Sequence, residues 1–133
     1  MPKMKRTYAA LVIMAVSITG FAVAKAGMPQ GDPAKGAGLF ASNCAACHSA
    51  VKGGGDEQGP NLYTVYGRKA GSEAGFAYSD GFAKTNFVWD YAHLDKWLTK
   101  PTSVISTSYM MYAQPDPQIR ADIIAYLKSL DSK

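Results

Sequence analysis

Apolar residues recur three and four positions apart in three stretches of this chain. The clearest is C-terminal, where Ile119, Ile123, Tyr126, Leu127 and Leu130 form one stripe behind Asp116-Pro117, a pair suited to capping and starting a helix. Leu94, Trp97 and Leu98 mark a second helix from about Asp90 to Thr99, which Pro101 prevents from continuing. Asp32-Pro33 repeats the cap-and-proline start, and Ala34, Ala37, Leu39, Phe40 and Ala41 carry a third helix into Cys44. Gly36 and Gly38 weaken that helix by about 1 kcal/mol each relative to alanine, unless a neighbour must approach the backbone closely. Asn61 to Tyr66 has the length of a short helix closed by Gly67.

Elsewhere the periodicity fails. Gly53-Gly54-Gly55 and Gly59-Pro60 are turn signals within 51–60, residues 68–86 mix glycine, serine and aromatics, and 102–114 is irregular and followed by prolines. No segment reads as a convincing strand. The pattern predicts an all-α fold of three main helices plus a short one. Loops this long are uncommon in a small domain unless they wrap something functional, and Phe76, Tyr78, Phe82 and Phe87 in the central loop need a surface to pack on.

The N-terminus has a different pattern. Lys3, Lys5 and Arg6 precede an apolar run from Tyr8 to Val23, and small-residue cleavage patterns end at Ala24 and Ala26. This is the order of a secretory signal peptide over residues 1–26, followed by a linker at 27–31 and a domain at 32–133. An uncleaved membrane anchor is the rival, although an anchor normally uses about 20 strongly apolar residues. Four of the 14 basic residues precede Gly27 whereas all 10 acids follow it, so the domain is charge-balanced. A nucleic-acid partner, which requires a basic face, thereby loses its compositional support.

Both cysteines lie in Cys44-Ala45-Ala46-Cys47-His48. A thioredoxin-like redox pair would start a helix within a βαβ unit, and here the pair follows a helix with no such unit. A structural zinc needs four ligands, yet the chain has no further cysteine and only His93 as another histidine. A disulfide across so short a loop adds little stability. Covalent haem attachment fits: two thiols add to the two vinyl groups, and the adjacent His48 is placed to ligate the iron.

The other axial position separates electron transfer from catalysis, because a protein side chain there keeps substrate off the iron. His93 sits on a predicted helix beside Leu94, where a half-buried or solvated role suffices. Met28 belongs to the linker. Met110 and Met111 lie between the last two helices, where either thioether could reach a haem.

With these elements in place, the chain resembles a class I cytochrome c of the mitochondrial type, in a bacterial periplasmic or membrane-anchored form. The resemblance runs from Asp32 to Lys128 through CAACH, GPNLYTVYGRKAG (59–71), FAYSD (76–80), WDYAHLDKWLTKP (89–101) and the closing DIIAYLKSL. It implies three main helices and a short one around one covalently bound haem c, held by Cys44 and Cys47 and ligated by His48 and Met110. Met110-Met111-Tyr112-Ala113 fits the family's pattern after the ligand, which leaves Met111 for packing. Further implied roles are a Pro60 carbonyl on the free nitrogen of His48, and Arg68, Tyr78 and Trp89 donating to a haem propionate. Gly36 would meet Tyr126 where the first and last helices cross. Two departures stand out: the family's lysine cluster and proline-glycine pair are replaced by Thr102-Ser103-Val104-Ile105-Ser106-Thr107-Ser108-Tyr109, and Trp97 stands where a tyrosine is common, leaving a hydrogen bond to the ligand sulfur open. Lys52, Arg68, Lys69 and Lys100 remain candidates to ring the haem edge.

The expected function is one-electron transfer, not enzymatic turnover. The expected donor is a bc-type quinol-oxidising complex or a periplasmic dehydrogenase, and the acceptor a terminal oxidase or peroxidase. The alternative is a small haem enzyme or ligand-binding protein with a displaceable methionine. A periplasmic monomer is expected, with membrane contact only if residues 1–26 stay attached.

Overall fold

The computed structural model describes residues 1–2 and 27–132. The signal-peptide or anchor expectation therefore concerns a segment outside the described residues. Among the described residues there are four α-helices: α1 (Pro33–Asn43), α2 (Tyr91–Thr99), α3 (Pro101–Val104) and α4 (Pro117–Ser129), with 3-10 turns at Asp80–Lys84 and Leu130–Ser132. Among the described residues, extended pairing is limited to an isolated antiparallel bridge between Lys69 and Val88.

An aspartate caps each main helix. Asp32 accepts from the Ala34 and Lys35 amides, Asp90 from that of His93, and Asp116 from those of Gln118 and Ile119. Pro33 and Pro117 occupy first-turn positions, where a missing N–H costs nothing. The short helix lies elsewhere than expected. Residues 61–66 form turns because Asn61 Oδ1 captures the Tyr63 amide at 2.8 Å and Thr64 takes φ 55°, which no α-helix accommodates. Pro101, expected only as a stop, instead starts α3, since its fixed φ suits a first helical turn.

Helices α1 and α4 cross at Gly36. A Cβ there would lie 1.9 Å from the Asp122 carbonyl oxygen and 2.8 Å from Tyr126 Cβ, so only glycine permits the approach. Gly38, by contrast, faces open space. The crossing is reinforced by Phe40 and Tyr126, with ring centroids 5.4 Å apart, and by Asp122 Oδ1, which accepts from the Asp32 amide at 2.8 Å. Residues 29–31 of the expected linker also lie on the helices. Gln30 and Pro29 offer carbonyls to Gln118 and Tyr91, and Gly31 packs on Ala121.

Arg120, buried on α4, donates from Nε to Asp95 on α2 at 2.7 Å and from Nη1 to the Gln114 and Pro115 carbonyls. It satisfies a buried charge and ties together α2, α4 and the segment entering α4. Ile123 and Ile124, each 1% exposed, lie at the centre of the core, where burial stabilises the fold by about 1.5–3 kcal/mol per side chain.

Candidate haem site

The long loops enclose a cavity of about 420 Å³. Its walls come from the end of α1 (Phe40, Cys44), the following turn (Cys47, His48), the central loop (Arg68, Tyr78, Phe82), helix α2 (Leu94, Trp97, Leu98), the segment 108–112 and helix α4 (Ile123, Leu127). That volume and apolar lining suit a prosthetic group.

The cysteine turn continues directly from the C-terminal end of α1. Cys44 and Ala45 amides donate to the Phe40 carbonyl, and the Cys47 and His48 amides both donate to Cys44 at 3.0 and 2.9 Å. Both thiols are unbridged. Burial, aided by Cys47, pushes the Cys44 thiol up to about 11, so it stays protonated at neutral pH, unlike the low-pKa thiolate of a redox pair. Among the described residues no group of three or more histidine, cysteine or acidic side chains could hold a metal.

His48 is restrained from two sides. Its Nδ1 lies 2.8 Å from the Pro60 carbonyl oxygen, which selects the Nδ1–H tautomer and frees Nε2 as a donor to a metal. Burial lowers its pKa below 6.5, partly offset by the Pro60 carbonyl, so the imidazole is neutral and able to ligate. Gly59 supplies the second restraint: a Cβ there would lie 2.2 Å from His48 Cε1 and 2.6 Å from Nδ1. In the sequence Gly59 reads only as part of a turn, and nothing local identifies it as the floor of the histidine ring.

The two methionines separate by environment. Met110 is partly buried and packed against the core, and its Sδ accepts from Trp97 Nε1 at 3.1 Å, whereas Met111 is 91% exposed. The hydrogen bond left open by Trp97 is thus made by the indole N–H. His93 does not line the cavity; it stacks on Phe87 with centroids 4.3 Å apart and shares a 2.7 Å contact with Asp90.

Arg68, Tyr78 and Trp89 all line the cavity. Arg68 is already held by the Asn61 and Tyr63 carbonyls and by Glu73, a partner without a sequence signal because it faces Arg68 across a turn. Tyr78 Oη accepts from the Glu73 amide at 3.2 Å. The loop aromatics find their surface in one continuous row: Phe76, Tyr78, Phe82, Trp97, Trp89 and Phe87 follow each other at centroid separations of 4.9, 4.6, 5.8, 5.2 and 5.0 Å. Of the four basic residues considered for the haem edge, only Arg68 lines the cavity.

A small all-α domain whose loops bring two thiols, a neutral imidazole and a restrained thioether to one apolar cavity belongs to the class of covalent haem carriers. The cytochrome c family profile matches residues 33–131. The chain is 50% identical over 107 residues to the cytochrome c of Theileria annulata (80% of this chain, 92% of the relative). It is 45% identical over 103 residues to the cytochrome c2 of Rhodopila globiformis (77% and 96%), and 44% over 101 residues to the cytochrome c of Chlamydomonas reinhardtii (75% and 90%). The chain belongs to the cytochrome c family, as a class I member: a haem electron carrier with one covalently attached haem c, not an enzyme.

Proposed function

We propose that Cys44 and Cys47 carry the haem, that His48 and Met110 are its axial ligands, and that the protein shuttles single electrons outside the cytoplasm. The donor in this reading is a bc-type complex or a periplasmic dehydrogenase, and the acceptor is a terminal oxidase or peroxidase. Cys44 and Cys47 would hold the haem through two thioether bonds to its vinyl groups. Haem supplies the one-electron chemistry. His48, kept neutral and oriented by Pro60, would offer Nε2 to the iron, and Met110, steadied by Trp97, would offer its sulfur. Arg68, Tyr78 and Trp89 stand where they would neutralise or hydrogen-bond a propionate.

The observation that carries this reading is the double restraint, with Nδ1 of His48 2.8 Å from Pro60 and Sδ of Met110 3.1 Å from Trp97, in one cavity bearing both thiols. A pyridine haemochrome assay should find one covalent haem. The weak iron–sulfur band of the oxidised protein should vanish in Met110→Ala and persist in Met111→Ala. High-spin iron that binds carbon monoxide readily would overturn the ligand assignment.

Docking with little ionic steering is part of the same reading. Residues 102–115 carry no charge, and Tyr109 and Met111 beside Met110 are 84% and 91% exposed. A periplasmic destination, with cleavage after Ala24 or Ala26, rests on the residue order of 1–26. Mass measurement of the N-terminus in fractionated cells tests it: an intact segment in the membrane fraction would favour an anchor.

A further inference from the structure

The segment 105–114 carries Met110 with little regular structure of its own, and it is tied down near both ends. At the far end the Gln114 amide donates to the Leu98 carbonyl at 2.8 Å. At the near end Thr107 Oγ1 accepts from the Gly81 amide at 2.9 Å and lies 3.1 Å from the hydroxyl of Ser79, a residue only 7% exposed. A Cβ on Gly81 would sit 2.5 Å from Thr107 Oγ1 and 2.6 Å from Ile105 Cγ2, so the two segments approach as closely as glycine allows. From that junction the chain runs in short linked steps: the Ser108 amide donates to Ile105 at 3.0 Å, and the Met110 amide to Ser108 Oγ at 3.1 Å.

We propose that Thr107 is a positioning residue for the methionine ligand, a latch whose hydroxyl sets how often Met110 leaves the iron. The inference rests on Met110 being that ligand. Tyr109 and Met111 are exposed and contribute little to holding the segment, so its local opening is governed by its few anchoring bonds. Losing the Thr107 hydroxyl removes the acceptor of one amide and the partner of one hydroxyl while conserving side-chain shape. Opening then becomes more frequent by about fivefold, the equilibrium worth of one ordinary hydrogen bond.

The test uses the oxidised holoprotein and imidazole as an external ligand. Thr107→Val should bind imidazole about fivefold more tightly than the wild type, while retaining the iron–sulfur band in its absence. Thr107→Ser, which restores the hydroxyl, should return to wild-type affinity. Unchanged imidazole binding in Thr107→Val, or a Thr107→Ser variant as weakly latched as the valine, would overturn the latch. Met110→Ala tests the ligand reading separately: a retained iron–sulfur band there removes the ligand, whatever Thr107 does. Hydrogen exchange on the wild-type protein provides a measurement independent of either Thr107 variant folding. Imidazole should accelerate exchange of the Gly81 amide, and an unaltered Gly81 rate would also refute the latch.

Discussion

Gly59 is the position where the smallest change should disturb the iron most. In Gly59→Ala the added carbon would sit 2.2, 2.6 and 2.8 Å from His48 Cε1, Nδ1 and Nε2, against an ordinary contact of 3.4–4 Å. Either the imidazole retreats by more than an ångström or the Cys47–Pro60 turn opens. Both break the 2.8 Å contact between His48 Nδ1 and Pro60, and the second also strains the hydrogen bond that the Gly59 amide donates to the Cys47 carbonyl. Overpacking of this kind costs about 1–3 kcal/mol, and the lost hydrogen bond roughly another 1 kcal/mol. A supporting hydrogen bond to a metal-bound histidine is itself worth about 10–100-fold in affinity. We expect the holoprotein of Gly59→Ala to lose roughly 2–4 kcal/mol in denaturant titrations, with a high-spin fraction in its oxidised spectrum. Gly55, where an added Cβ meets nothing within 4 Å, provides the control. A Gly59→Ala protein with wild-type spectrum and midpoint would refute the view that this glycine seats the His48 ring.

Three further outcomes follow from the same geometry. Gly36→Ala should destabilise through its clash with the Asp122 backbone, whereas Gly38→Ala, facing open space, should stabilise by about 1 kcal/mol; thermal melts of the pair that moved together would contradict the helix crossing. Trp97→Phe removes the indole donor to Met110 sulfur, which under the proposed ligation leaves the thioether a stronger donor to ferric iron. A difference of about 1 kcal/mol between oxidation states corresponds to roughly 40 mV for one electron, so spectroelectrochemistry should find a potential lowered by tens of millivolts, and an unchanged or raised value would count against the bond. Asp90 is held below its ordinary 3.8 chiefly by the His93 amide it caps, then by the His93 ring, so its stabilisation is present at neutral pH and fades as pH falls through that depressed value. Asp90→Ala should cost about 1 kcal/mol at neutral pH and progressively less in acid; a loss independent of pH would exclude the cap as its cause.

Sequence alone determined the three main helices, because aspartate caps, first-turn prolines and apolar stripes are local signals that tertiary packing here reinforced. It also brought Cys44, Cys47 and His48 together, since they are neighbours in the chain. The short helix was misplaced from 61–66 to 101–104 because side-chain capture by Asn61 and the positive φ at Thr64 compete with helix formation in ways that composition does not reveal. The family resemblance singled out Met110, but the physical difference from its neighbour, burial and the Trp97 indole supplied from α2, came only with the tertiary structure. The same holds for Gly59 under the histidine, Glu73 on Arg68 and Thr107 on Gly81. Periodicity reports which face of an element is apolar; which atom restrains a ligand depends on loops meeting across the cavity, and that proximity has no period to read.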